Sequence, residues 1–290
     1  APVPWNGYAD WHDALFKKGS HQTYEAAISG GTDRIKYYTS LSYLKQEGIT
    51  LNSGLERISG RVNVDYNASD KLTVGAKILF SQVSQDIYSE GTTYTAPFYA
   101  SVSKATPSDP IFDEDGNWNR DFIDLGDRNP LLSMMYDYKR EYITRHFNTI
   151  YGQYEFIPNL LFKTTLSYDY NINKGKEWSD PHTSNGDDDN GIMYANMYER
   201  KKLVWANQLT YTVTLGKDHN LDALIGYEID DQSREYISGE AVDFSTADKN
   251  VLSNGATITS VGGSNTCTRM VSYLGRINYC LLYTSPSPRD

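Results

Sequence analysis

The alternation of short and long connections constrains this sequence more than any other feature. Two-faced segments typical of β-strands are joined by a tight turn, then by a long polar loop, then by a tight turn again. The tight turns, rich in Gly, Asn and Asp, lie at residues 30–33, 67–70, 157–159 and 216–220. The long loops are residues 47–54, 85–139, 174–191 and 236–266. Strands that run up and down collect the tight turns at one end of a sheet and the long loops at the other, which is the layout of an outer-membrane β-barrel.

The segments between the connections have one apolar face and one polar face. In residues 61–66, arginine, asparagine and aspartate alternate with valine and tyrosine. Strands of soluble proteins are mostly ~5–6 residues long, whereas a strand that crosses a bilayer needs ~9–11 residues. The sequence therefore predicts an all-β chain that forms part of an antiparallel transmembrane barrel. The predicted strands are residues 21–29, 35–46, 55–67, 71–84, 141–156, 161–178, 194–215, 220–235 and 268–279.

Two short helices interrupt the strand pattern. Residues 10–18 begin with Asp10, a good N-cap, and have apolar residues at helical spacing before Gly19, a natural C-cap. A second helix is predicted near residues 96–105, inside the longest loop, and it ends before Pro107 because the residue before a proline disfavours helix.

Composition excludes several functional classes. The chain has 290 residues, 39% of them hydrophobic, and it has no run of the ~18 apolar residues that a spanning helix needs. Tyrosine is abundant, at 24 residues, and it suits both strands and membrane interfaces. The net charge of −10 argues against nucleic acid as a partner, because binding to phosphates needs a basic surface. The acidic residues concentrate in the long loops.

Sequence motifs do not indicate an enzyme, a cofactor or a strong metal site. Asp113, Asp115 and Asn117 resemble the start of a calcium loop, but its twelfth position is Asp124 instead of the required glutamate. An Asp-Gly turn is the favoured interpretation. The five histidines lack metal-ligand spacing, and the sequence contains no phosphate-binding loop, nucleophile elbow or dinucleotide fingerprint.

Aromatic residues in the long loops are the candidate contacts for a ligand or a partner protein. They stand among carboxylates and amides, a combination that suits sugars and peptides. Packing of the loops against one another is an equally good explanation for any single one of them. The candidates are Tyr94, Phe98, Trp118, Phe122 and Trp178.

The two ends of the chain give separate expectations. No signal peptide or initiator methionine precedes residue 1, so we expect a segment of a longer exported protein. Residues 280–290 break the strand pattern and resemble a translated sequencing-library adapter, so they are left out of the fold prediction.

Several stretches resemble the SusC/RagA class of TonB-dependent outer-membrane transporters. They are the DWHDALF sequence of residues 10–16, AISGGTD of residues 27–33, YYTSLSYLKQEG of residues 37–48 and RISGRVNV of residues 57–64. Their order and spacing are similar to the family's passage from its plug domain into the first barrel hairpins.

This resemblance implies a barrel of 22 strands closed by a plug, in the outer membrane of a Gram-negative bacterium. It further implies import of oligosaccharides or peptides with energy from the TonB complex and with a SusD-like lipoprotein as partner. Residues 1–19 would be the plug–barrel junction and residues 20–279 about nine of the strands, facing outer-membrane lipid. Two alternatives remain open at this point: a secreted β-rich glycan-active enzyme and a surface glycan-binding module.

Overall fold

In the part of the chain that the structure describes, nine strands form one antiparallel sheet, and every strand pairs with its neighbours in sequence. The computed structural model describes residues 8–88, 90, 95–120, 129–216, 218–247 and 250–281. The strands are β1 Ser20–Gly31, β2 Ile35–Glu47, β3 Gly54–Asn67, β4 Leu72–Ile87, β5 Tyr138–Ile157, β6 Leu160–Ser179, β7 Ile192–Leu215, β8 His219–Phe244 and β9 Gly255–Leu281. The predicted all-β antiparallel architecture is confirmed.

The helices of the described residues are short and lie outside the strands. The first, α1, is Trp11–Leu15, and Asp10 caps it by accepting a hydrogen bond from the Asp13 amide. In the longest loop, α2 is Pro97–Tyr99 and continues into a turn of π-helix, Ala100–Lys104. The sequence prediction missed α3, Pro130–Tyr136, which is capped by Asn129. Among the helices of the described residues, none is both long and apolar enough to cross a bilayer.

The last predicted loop needs correction. Residues 236–266 were expected to be loop, but β8 continues to Phe244 and β9 begins at Gly255. The loop predicted over residues 174–191 is also shorter, because β6 continues to Ser179. These strand extensions have no consistently apolar face, so the alternation that revealed the other strands is missing from them.

One face of the sheet is apolar and exposed. The pairing register places one residue of every strand in a continuous row across this face, and none of the nine is charged. The row is Gly30, Tyr37, Val64, Ala76, Ile150, Leu166, Trp205, Ile229 and Val271. Exposed apolar residues in such a row are expected where a barrel contacts lipid, and we call this surface the outer face.

The apolar part of the outer face, which we call the apolar band, ends at a definite level. Near the long loops, Leu203 of β7 is followed on the same face by Lys201. In β8 and β9 the corresponding change is to Asp231 and Arg269, which are paired in register and form an ion pair. Because β7, β8 and β9 continue beyond this level, their ends stand outside the apolar band.

Candidate functional site

The loops at one end of the sheet fold into a small structure with its own core. We call this the loop cap; it comprises residues 8–19, 48–53, 95–120 and 129–137. Trp11 and Leu15 of α1 pack there against Ala100, Leu131 and Met134. The segment at residues 8–19, predicted to be a plug–barrel junction, thus lies at the long-loop end, packed against loop residues.

Hydrogen bonds from side chains to backbone carbonyls hold the loop cap together. Asn129 donates hydrogen bonds to the carbonyls of Ile111 at 3.1 Å and Asn119 at 2.9 Å. The indole of Trp11 donates to the carbonyl of Thr106 at 3.1 Å, and Asn52 donates to the carbonyl of Met134. Each bond joins residues distant in sequence, so the cap is a defined surface above the strands.

A cavity of about 550 Å³ lies between the loop cap and the ends of β4, β5 and β6. This is a size typical of small-molecule sites. Its walls combine phenol rings with charged and amide side chains. The lining residues include Tyr136, Asp137, Tyr138, Arg140 and Glu177.

Ion pairs arrange the charged groups of the cavity. The guanidinium group of Arg140 lies 2.7 Å from the Asp86 carboxylate and 4.7 Å from the centre of the Tyr138 ring. Lys139 lies 2.9 Å from Glu177. Both ion pairs are about half exposed, so water and ligands can compete for them.

Asp137 connects the cavity wall to the next loop. Its carboxylate accepts hydrogen bonds from the Asp180 amide at 2.8 Å, the Thr183 hydroxyl at 2.9 Å and the Asn185 amide at 2.8 Å. Burial nevertheless raises the pKa of Asp137 above its ordinary value of 3.8, and the nearby Asp180 carboxylate adds to that effect. Desolvation of the charged form outweighs the three hydrogen bonds.

The described aromatic candidates occupy different environments. Phe98 is half exposed and lies 5.0 Å from Phe16, measured between ring centres. Trp118 packs 4.7 Å from Phe112 at the edge of the loop-cap core. Trp178 is buried edge-on against Phe244, at 4.9 Å, and forms part of the cavity wall. The two remaining candidates, Tyr94 and Phe122, lie outside the described residues.

Sequence reasoning did not identify the tyrosines that line the cavity. Tyr136 and Tyr138 flank Asp137 where α3 meets β5, in a dense run of aromatic and charged residues. That composition was the available signal. Because α3 was not predicted, these residues were assigned to a long loop and could not be placed beside a cavity.

The calcium-like motif forms a turn. One oxygen of Asp113 accepts hydrogen bonds from the backbone amides of Asp115 and Asn117, at 3.0 and 2.7 Å. Gly116 has a positive φ of 82°. Among the described residues, no group of three or more His, Cys, Asp or Glu side chains is arranged to hold a metal ion.

Comparisons with known proteins identify much longer relatives. The chain is 26% identical over 281 residues to TonB-dependent receptor P26 of Formosa agariphila, a match that covers 93% of the chain and 27% of the relative. It is 27% identical over 276 residues to receptor P3 of the same organism, covering 93% and 28%. The chain thus spans about a quarter of the length of these relatives. No family model matches it.

The solved structure of the RagAB peptide transporter has the same fold. The two superpose with a TM-score of 0.81 over 97% of this chain and 32% of that chain, at 21% identity. The resemblance to SusC/RagA-type TonB-dependent transporters is confirmed. In a barrel of this type the face opposite the lipid is the interior, and we call the polar face of the sheet the lumen face.

The lumen face of this transporter-like sheet has a charged network. Asp169 of β6 is almost fully buried and accepts two hydrogen bonds from Arg145 of β5, at 2.9 and 3.1 Å. It accepts a third from Arg200 of β7 at 2.8 Å. Next to this triad, Lys202 lies 2.7 Å from Asp230. The network lies on four neighbouring strands, β5 to β8, and all of its groups are on the lumen face.

Proposed function

We propose that this chain is part of the barrel of a TonB-dependent importer of oligosaccharides or peptides in the outer membrane of a Gram-negative bacterium. One observation carries the proposal. The same nine strands present an uncharged row on one face and a network of charged side chains on the other. A sheet needs that combination when one face contacts lipid and the other an aqueous interior. The matches to receptors and to a peptide transporter support the role.

The orientation follows from the loops. In outer-membrane barrels the short turns are periplasmic and the long loops extracellular. The loop cap and its cavity would therefore face the medium, where solute is captured. The TonB complex would act through parts of the longer protein that lie outside this chain.

Exposed apolar residues on the loop cap support a protein partner there. Val102 is 85% exposed, Phe98 50% and Met135 52%, although all three lie outside the apolar band. Apolar side chains gathered on an otherwise polar surface are typical of a protein–protein interface. A SusD-like surface lipoprotein, the kind of partner that the family resemblance implies, is our proposed occupant.

The two alternative functions fit the sheet less well. A glycan-active enzyme or a glycan-binding module with a soluble sandwich fold would bury one face of each sheet against another layer. Here, large apolar residues such as Ile150, Trp205 and Tyr273 are exposed on the outer face. No observation on the described residues favours either alternative.

Cysteine labelling in intact cells tests the orientation. Cys267 and Cys280 are exposed, so the cysteines of the complete transporter are first replaced by serine. Asn117→Cys, in the loop cap, is expected to react with a membrane-impermeant maleimide. Ser69→Cys, in a tight turn, is expected to react only after the cells are permeabilised. Labelling of Ser69→Cys but not of Asn117→Cys in intact cells would overturn the proposed orientation.

A further inference from the structure

Three arginines occupy one level of the lumen face. The register pairs Arg145 of β5 with Asn171, Asn171 with Arg200, and Arg200 with Arg234 of β8. No acidic residue lies at this level on these four strands. Residues directly opposite each other on neighbouring strands have Cβ atoms ~5 Å apart. Arg200 and Arg234 are therefore two like charges side by side, an arrangement that destabilises a sheet unless an anion lies between them.

The neighbouring acids are already engaged. Asp169, one step nearer the tight turns, is shared by Arg145 and Arg200. Asp230 pairs with Lys202, and Glu141, nearer the loops, accepts a hydrogen bond from Asn173. For Arg234 the described contact is with the neutral amide of Gln232, whose oxygen accepts from its guanidinium group. The arginine level therefore has more positive charge than its neighbours neutralise.

Arg200 also has an unused donor. Its terminal nitrogen bonds to Asp169, but its buried Nε–H has no acceptor among the described residues. A buried donor without a partner costs free energy. An anion beside Arg200 could accept from that group after a small side-chain movement.

The position of the arginines fits a site for incoming solute. On the outer face, the apolar band ends between Leu203 and Lys201 of β7, and Arg200 lies at that same level on the lumen face. The arginines thus stand at the extracellular mouth of the barrel interior. Solute that has passed the loops would meet these three positive charges here.

We infer that Arg145, Arg200 and Arg234 form an anion-binding site for the carboxylate or sulfate groups of an acidic solute. Guanidinium groups bind these planar or tetrahedral oxyanions through paired, charge-assisted hydrogen bonds. The inference rests on the proposed import function and narrows its substrate class from oligosaccharides or peptides in general to acidic ones.

Crystals of the complete transporter soaked in sodium selenate test the site directly, because selenium gives an anomalous signal. The variants are Arg234→Gln, which removes the charge, and Arg234→Lys, which keeps it. Arg234 has no acidic partner among the described contacts, so neither change breaks an ion pair. Lys163→Gln is the matched control, since it removes a cation from the same face near a tight turn. We expect selenate between Arg200 and Arg234 in the wild type, Arg234→Lys and Lys163→Gln, and none in Arg234→Gln.

Uptake by a host that lacks its own copy of the gene tests the substrate class. The host is supplied with a panel of neutral and acidic oligosaccharides and peptides, and initial uptake rates are measured. Loss of a charge-assisted contact corresponds to about a tenfold effect or more. We expect Arg234→Gln to reduce uptake of acidic solutes by about that factor and to leave neutral ones unchanged.

The outcomes separate this inference from the import proposal. If the wild-type gene supports uptake of no solute, the import function fails, and the selenate experiment still decides whether the site exists. Uptake of neutral solutes only, or equal uptake of acidic solutes by wild type and Arg234→Gln, overturns the inference. Selenate density together with that equal uptake means an adventitious ion only. A carboxylate from another part of the chain bound to Arg200 or Arg234 would also overturn it.

Discussion

Asp169 is the single residue on which most of the lumen-face network depends. It receives hydrogen bonds from two arginines on two strands and is almost fully buried. Asp169→Asn keeps one acceptor oxygen but loses the charge, which leaves Arg145 and Arg200 repelling each other. Because the arginines are partly exposed, we expect a loss of about 1–3 kcal/mol in the free energy of unfolding. Denaturant unfolding of the complete transporter in detergent measures it.

Glu177→Gln is the control for that prediction. Glu177 pairs with Lys139 at 2.9 Å, and both side chains are about half exposed. Surface ion pairs contribute ~0–1 kcal/mol, so this variant is expected to unfold at nearly the wild-type denaturant concentration. Equal losses in the two variants would mean that burial of Asp169 adds nothing to the stability of the network.

Asp137 gives a pH dependence with a definite sign. Its pKa is raised in the folded protein, so the folded loop binds a proton more tightly than the unfolded chain. The stabilisation from this proton is complete below pH 3.8 and is lost as the pH rises through the raised pKa. Amide exchange at Asp180, corrected for the intrinsic rate, should therefore show protection that falls with rising pH above 3.8.

Asp137→Asn is the matched variant for this pH effect. Asparagine stays neutral and can still accept the hydrogen bonds from the Asp180 amide and the Thr183 hydroxyl, which share one oxygen of Asp137. Protection at Asp180 is then expected to be independent of pH over the same interval. A pH dependence that persists in the variant would assign the effect to another group, such as Asp180 itself.

At the scale of elements, the sequence prediction succeeded where a strand has an apolar face toward lipid. Seven strands were predicted to within three residues of their observed ends, because each has an apolar outer face that alternates with polar residues. The parts of β8 and β9 nearest the long loops were not predicted, because they lie beyond the apolar band. There Glu235, Gly239 and Asn265 lie on the outer face, so no hydrophobic period marks the strand.

The sites were less predictable than the strands, for a related reason. The loop-cap cavity is formed by residues from separate loops, and α3 places Tyr136 and Asp137 beside β5 through contacts distant in sequence. Likewise, the arginine level exists only once the register is known. Arg145, Arg200 and Arg234 are far apart in the sequence, and a shift of one residue in any strand would place its arginine on the outer face.

The turn before β7 depends on a glycine. Gly191 has a positive φ of 93°, and a Cβ atom there would lie 2.8 Å from the Trp178 ring. Gly191→Ala is therefore expected to cost more than the ~1–2 kcal/mol of left-handed backbone strain alone, and to increase proteolysis in residues 180–191. Gly216→Ala, at a φ of 68° with no atom within 4 Å, is the control. Equal proteolysis in both variants would contradict a role for the Trp178 contact.

At the scale of the whole molecule, the outer face must satisfy its own polar groups, since lipid offers no hydrogen bonds. Three polar side chains in the apolar band bond to one another. The Trp205 indole donates to the Thr164 hydroxyl at 3.0 Å, and that hydroxyl donates to Asn207 at 2.8 Å. This short chain joins β6 to β7 and leaves the apolar surface on either side unbroken.

A charge placed in the apolar band should therefore destabilise the barrel, whereas the same charge on the lumen face should not. Leu209 lies near the middle of the band on β7, between Leu203 and Leu215. Leu209→Arg in the complete transporter is expected to cost about 2–4 kcal/mol, the usual cost of an arginine at the bilayer midplane. Ala206→Arg is the matched control, because it places the same side chain on the lumen face opposite Glu228.

Unfolding in lipid vesicles and the fraction of folded barrel in outer-membrane extracts measure both variants. Leu209→Arg should lower both quantities, while Ala206→Arg should remain close to the wild type because its charge stays in an aqueous interior with an acid opposite. The reverse order would mean that the uncharged row faces the interior, and the assignment of the outer and lumen faces would have to be exchanged. That result would also overturn the proposed anion site, since Arg145, Arg200 and Arg234 would then face lipid.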